Sequence, residues 1–201
     1  RMKQAYRRVI KVTMLVTFVF MLGLAAVAKP MILVLIGDQW LIAAMFLPII
    51  CFQMMFYPLH AINLNMLQVQ GRSDLFLKLE IIKKIWASIP LILGVFIGIY
   101  WMLWSSVIII GPITFYLNSY YSGRYLNYST ADQVKDILPS FGIAAIMAII
   151  TYLVSLLPLS PFVLLPLQII VGAVITIVLC EIIKPEEYKE LKSIALSAKQ
   201  K

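Results

Sequence analysis

Seven side chains have the types and spacing to handle a polar ligand: Gln53, Tyr57, His60 and Asn63 in one apolar stretch, and Thr114, Asn118 and Tyr121 in another. At 100° per residue, Gln53, Tyr57, His60 and Gln68 fall within about 80° of one another on a helix, with Asn63 at the edge. Gly111, Thr114, Asn118, Tyr121 and Tyr125 share one face in the same way. Amides, phenols, hydroxyls and an imidazole give and take hydrogen bonds. Their chemistry is that of holding a polar group. Two readings stay open for these stripes, His60 and Asn118 in particular: interhelical hydrogen bonding inside a bundle, or the lining of a polar cavity. Gln168 and Thr176 stand alone in their own stretch and read as interhelical glue.

Bond-breaking chemistry lacks its parts. His60 is the only histidine, and its stretch contains no acid to orient it. Glu181 is the only acid inside an apolar run, at its polar end, with Lys184 at i+3 as the expected partner. The sequence has no glycine-rich phosphate loop, no nucleophile elbow and no Cys/His cluster. Cys51 and Cys180 read as small buried hydrophobes. No catalytic residue, metal ligand or cofactor is therefore expected, and the chain is not expected to be an enzyme. The net charge of +8 does not point to nucleic acid, because the basic residues sit in the breaks between apolar runs instead of on one soluble face.

The elements that must carry these residues are set by composition. The 201 residues are 62% hydrophobic and 13% charged, with a mean hydropathy of +0.95. A soluble domain is nearer 45–50% apolar and about 25% charged, so lipid is the matching solvent. A helix needs about 20 apolar residues to cross the hydrocarbon core. On that ruler the chain reads as an all-α integral membrane protein with six spans, at about 12–36, 41–69, 85–100, 104–121, 137–157 and 161–183, followed by a tail over 184–201. Pro30 should kink the first span, and Pro48, Pro58, Pro90 and Pro112 punctuate others. The aromatic run Tyr100–Trp104 should mark an interface between the third and fourth spans. Pro158-Leu159-Ser160 should make a tight turn between the fifth and sixth.

Of the 17 lysines and arginines, Lys29 alone falls on one set of alternate connections. The N-terminal arm, the second and fourth connections and the tail hold the others. Under the positive-inside rule the basic side, with both termini, is cytoplasmic. Residues 73–84 read as an interfacial helix capped by Ser73, with Asp74 in its first turn. The tail, with Glu186 and Glu187 early and lysines late, reads as a short solvated helix.

The runs Gly37-Asp38-Gln39-Trp40, Tyr57-Pro58-Leu59-His60-Ala61-Ile62-Asn63-Leu64-Asn65 and Gln70 to Lys78, with the later Phe115 to Arg124, resemble the polysaccharide-transporter family. These are Wzx-type bacterial flippases of lipid-linked oligosaccharides, in the MATE-like MOP superfamily. The resemblance extends over the whole chain and is most specific over 37–84. It implies one lobe, the C-terminal one, of a two-lobed MATE-like fold; a chain opening on Arg1 fits that expectation. It further implies a bacterial inner-membrane location, an undecaprenyl-pyrophosphate-linked oligosaccharide for O-antigen, capsule or exopolysaccharide as cargo, and membrane lipids and an N-terminal lobe as partners. Tyr57, Asn63, Asn118 and Tyr121 would then be suited to sugar contacts. A MATE-type cation-coupled exporter and a non-transporting structural subunit stand as the alternatives.

Overall fold

The computed structural model describes residues 1–124 and 126–199, with side chains through 193; Tyr125, Gln200 and Lys201 lie outside the described residues. The described residues form helices and turns only, in the order α1 (Met2–Ala26), α2 (Ala28–Leu35), α3 (Leu41–Met54), α4 (Tyr57–Val69), α5 (Ser73–Ile97), α6 (Ile99–Ser105), α7 (Gly111–Arg124), α8 (Thr130–Val154), α9 (Pro161–Ile183) and α10 (Glu186–Lys199). A 3-10 turn, Asp38–Trp40, precedes α3, and a π turn, Ser106–Ile110, joins α6 to α7.

Proline accounts for three of the breaks. Its missing N–H frees the carbonyl four residues upstream, and its ring crowds that turn. The first apolar run breaks at Val27, just past Ala26, the residue whose carbonyl Pro30 leaves unpartnered. The second breaks at Met55 and Phe56, just past the corresponding residue for Pro58. The π turn brackets Ile108, which stands in that relation to Pro112. Pro48, Pro90, Pro139 and Pro166 sit inside helices that continue through them.

Five helical stretches are long and apolar enough to cross a membrane: Met2–Ala26, Asp38–Val69, Ile99–Arg124, Thr130–Val154 and Pro161–Ile183. The boundaries shift from those read in the sequence. The first and second runs are broken as above. Residues 73–84 and the expected third span are one helix, α5, with Arg72 and not Ser73 in the capping position. The break after it is at Gly98, whose φ of +112° and ψ of 167° suit glycine alone, so the aromatic run lies inside α6 and does not divide two spans. The fifth run starts earlier than expected, at Thr130, because Ser129 and Asp132 form a reciprocal capping box, and it ends at Val154. The sixth matches its expected limits, Pro161–Ile183.

Contacts fix the direction of each run. The start of α1, the ends of α4 and α7 and the start of α8 meet through Tyr6, Asn63, Ser122 and Gln133. We call this the basic end. The end of α1 with α2, the start of α3, the end of α8 and the start of α9 meet around a cavity at the opposite end. Helix α5 leaves the basic end, where Leu79 packs on Leu64 and Leu67, and Gly94 lies against Met102 of α6 beyond the Gly98 turn. Successive runs therefore alternate in direction, and α9 returns to the end where α1 began.

Helix α1 is the spine, with its longest interface along α8. Ile10, Met14 and Phe18 of α1 are fully buried with Met55 and Leu59, and Phe18 meets Phe56 and Phe141 edge-on at 5.6 and 5.4 Å. The outer surface is as apolar as the core, with Phe20, Val95, Phe96, Phe162 and Ile182 all more than two-thirds exposed. Between such helices in lipid, packing and interhelical hydrogen bonds carry the association, because lipid is as apolar as leucine. Gly172 shows the close packing: a Cβ there would lie 3.2 Å from the Thr151 hydroxyl.

The tail departs from expectation. Lys184 takes a left-handed conformation (φ 49°) and turns the chain, so α10 folds back on α1 instead of standing in solvent. Tyr188 and Leu191 pack against Leu15, Ile143 and Cys180, and Glu187, only 3% exposed, accepts from the Ser140 hydroxyl at 2.6 Å. Arg8 pairs with Glu190 (2.5 Å) and Lys11 with Glu186 (3.0 Å). Glu181 is held by Lys192 (2.7 Å) and Tyr188 (2.9 Å), not by Lys184 as its spacing implied.

Candidate functional site

The basic end is closed by a polar network that joins four helices. The Tyr6 hydroxyl donates to the Asn63 side-chain carbonyl, and Ser122 donates to the same oxygen at 3.2 Å. The Asn63 amide donates to Gln133 Oε1 at 2.9 Å, tying α4 to α8. Gln70 donates to the Ser122 backbone carbonyl (3.1 Å), and Ser119 shares a hydrogen bond with Thr130 (2.8 Å). Asn63, Ser119, Ser122 and Gln133 have no exposed surface. Each satisfied amide or hydroxyl here replaces a partner that lipid would not provide.

Beside it, the Arg7 guanidinium grips Asp136 with two bonds of 2.7 and 2.6 Å, and Tyr128 donates to the same carboxylate at 2.6 Å. Burial pushes the Tyr128 phenol above its ordinary range, and the carboxylate it bonds adds to the effect, so it stays protonated as a donor. Gly123 makes this turn possible: a Cβ there would fall 1.9 Å from the Tyr128 carbonyl oxygen. Asp136 lies within the membrane stretch Thr130–Val154, so Glu181 is not the sole acid in an apolar helix; Asp136 sits near the start of α8, at the basic end.

The residues singled out in the sequence divide between this interior and the outer surface. Asn63 is the centre of the network. Asn118 is fully buried against α4, its amide donating to the His60 backbone carbonyl at 3.4 Å, while its Oδ1 has no protein partner. His60 beside it is half-buried, and its Nδ1 is likewise buried without a protein partner. Thr114 is buried on the same face of α7. Tyr121 is half-buried and packs against the Leu64, Leu67 and Leu79 cluster. Gln53 is half-buried, and Tyr57 is 65% exposed. The turn at Met55 and Phe56 separates Gln53 from the helix that carries Tyr57, His60 and Asn63, so the stripe is not one continuous helical face. His60, Asn63, Thr114 and Asn118 come together at the α4–α7 contact; Gln53 and Tyr57 stand apart from it. Gln68 is exposed, and Tyr125 lies outside the described residues.

Sequence reasoning missed Tyr6, Arg7, Ser122, Gln133 and Asp136. The first two fall in what reads as a solvated basic arm. Gln133, Asp136 and Ser140 share a face at i, i+3 and i+7, a signal hidden because the apolar run starts only at Ile137. Gln168, read as glue, behaves as such: its amide donates to the Thr151 carbonyl at 2.9 Å, across α8 and α9. Among the described residues no group of three His, Cys, Asp or Glu side chains is placed to hold a metal ion.

The sequence model of a family described as polysaccharide biosynthesis protein matches residues 1–45. That segment comprises α1, its break and α2, the 3-10 turn and the start of α3, and it overlaps the motif Gly37-Asp38-Gln39-Trp40. No curated protein and no solved structure matches the chain. The match supports polysaccharide biosynthesis at a coarse level, in a multi-pass, all-helical membrane chain.

Proposed function

We propose that the chain is a six-span lobe of a flippase that carries a lipid-linked oligosaccharide across the bacterial inner membrane, for O-antigen, capsule or exopolysaccharide assembly. The observation that carries the reading is the polysaccharide-biosynthesis match on α1 and α2, the spine of the bundle. In this reading α5 is the sixth crossing. Its apolar part, Ile85–Ile97, covers only about 20 Å at 1.5 Å per residue, and Lys78, Lys83 and Lys84 snorkel toward the basic side to complete the span. The basic end with both termini is cytoplasmic.

Flipping makes and breaks no covalent bond. It requires a polar path for the head group while the polyprenyl chain stays in lipid. Tyr57 and Gln53, with the accessible part of His60 and Tyr121, supply ring faces and hydrogen-bonding groups toward that path. Asn63, Thr114 and Asn118 hold the wall behind them. The path is completed by an N-terminal lobe of the same protein. The burial of Asn63 and Asn118 also suits a structural subunit, in which none of these residues meets cargo.

The test is complementation in a strain lacking its flippase. Residues 1–201 joined to an N-terminal lobe should restore surface polysaccharide, and residues 1–201 alone should insert without restoring it. Restoration by residues 1–201 alone would overturn the two-lobe path. Failure of the joined protein, present at normal abundance, would favour the structural subunit.

A further inference from the structure

The cavity at the end opposite the basic one, of about 580 Å³, has a composition that the transport reading does not use. Its walls are mostly apolar, with Leu33, Leu156 and Leu164 among them, and it opens between α2, α3, α8 and α9. Lys29 lines it. This is the one cation on the alternate connections of the sequence, and among the described residues its ammonium meets no carboxylate and no hydrogen-bond acceptor. Ala26 and Ala44 also line it, and they are the residues four positions before Pro30 and Pro48. Their carbonyls have therefore lost the helical N–H that would have bonded them. Irregular backbone at membrane depth is tolerated where it faces a cavity that can satisfy it.

We propose that this cavity binds an anionic phospholipid whose head group carries a hydroxyl donor. The phosphate pairs with Lys29, the hydroxyl answers the free carbonyls of Ala26 and Ala44, and an acyl chain lies along Leu33, Leu156 and Leu164. Charge complementarity selects the phosphate. The carbonyls select among head groups, because a glycerol hydroxyl donates to them and a choline cannot. The apolar walls select a lipid over a free anion. The site stands independently of transport, so its failure would leave the flippase reading untouched.

Native mass spectrometry of the detergent-purified chain, titrated with phosphatidylglycerol, phosphatidylcholine or inorganic phosphate, tests it. Phosphatidylglycerol should be retained and phosphatidylcholine released. Lys29→Gln should weaken phosphatidylglycerol retention about tenfold, the scale of one charge-assisted contact, while Lys29→Arg keeps it. Leu33→Trp, which fills the chain's place and leaves Lys29 intact, should also abolish retention; the thermal midpoints of both weakened variants without lipid should match that of the parent. Equal retention by Lys29→Gln, equal retention of phosphatidylcholine, or full competition by inorganic phosphate would each overturn the proposal.

Discussion

Asn63 and Tyr57 lie on one helix, less than two turns apart, and have opposite surroundings. Asn63 is enclosed by Tyr6, Ser122 and Gln133, and Tyr57 looks outward. Replacing Asn63 by Leu strands the buried Gln133 side-chain carbonyl and removes the oxygen to which Tyr6 and Ser122 both donate, leaving those two hydroxyls the 3.1 Å bond between them. The expected cost is about 1–2 kcal/mol, at the lower end of buried hydrogen-bond losses because helices separated in lipid also find partners. Thermal denaturation in detergent should show it as a lowered midpoint, with export per folded molecule unchanged. Tyr57→Ala should do the reverse, leaving the midpoint within error and reducing export. Loss of stability in Tyr57→Ala with normal export per molecule would move Tyr57 to the structural set. The sequence shows that these residues are polar and helically spaced. It does not show which face is closed, because the closing partners are far away along the chain: Tyr6 lies 57 residues from Asn63, and Arg7 lies 129 from Asp136.

At the scale of elements, the α10 helix was legible and its docking was not. Glutamates early and lysines late define a helix whatever it touches. That it folds back follows from the left-handed turn at Lys184 and from carboxylates matching Arg8 and Lys11 across more than 170 residues. The Lys11 ammonium holds the Glu186 carboxyl below its ordinary range. A carboxyl depressed in the folded state contributes docking above the free carboxylate pKa, about 4.3, and loses it as pH falls through the lower folded value. Amide exchange of residues 186–193, corrected for intrinsic rates, should therefore be slower at pH 6 than at pH 3. Lys11→Met should narrow that difference, whereas exchange independent of pH in the parent would show that the ion pair does not hold the tail. The proline breaks were legible in kind, since each disruption falls within the turn before Pro30, Pro58 or Pro112. The passage of Pro48 and Pro90 through unbroken helices was not, because surrounding packing decides whether a kinked turn opens.

For the whole molecule, the alternation of basic and non-basic connections foretold the alternating helix directions, and the contacts at the two ends agree with it. Composition alone gives five membrane stretches, because α5 begins with four charged residues, Lys78, Glu80, Lys83 and Lys84, in its first half after Asp74. The count matters, since five crossings would separate the termini that Arg8 and Glu190 bring together. With Cys51 and Cys180 replaced by Ala, single cysteines at the exposed Gln39 and Ser160 should react with an impermeant reagent from the periplasm, and one at Ser73 should not. Ser105 is unsuited as a reporter, being buried inside the bundle. Reaction at Ser73 from outside would reverse the orientation.

The claim that this bundle moves a lipid-linked glycan is tested most directly in vesicles. The full protein containing this chain is reconstituted with a radiolabelled undecaprenyl-pyrophosphate oligosaccharide, and the glycan exposed on the outer leaflet is removed by an impermeant glycosidase. Without protein, cleavage should stop near half of the glycan, the share of one leaflet. With protein it should proceed toward completion, and Tyr57→Ala should slow the second half. Cleavage that stops at half with folded protein present, while the same vesicles exchange a small organic cation against protons, would contradict the flippase account and place the chain in a cation-coupled exporter.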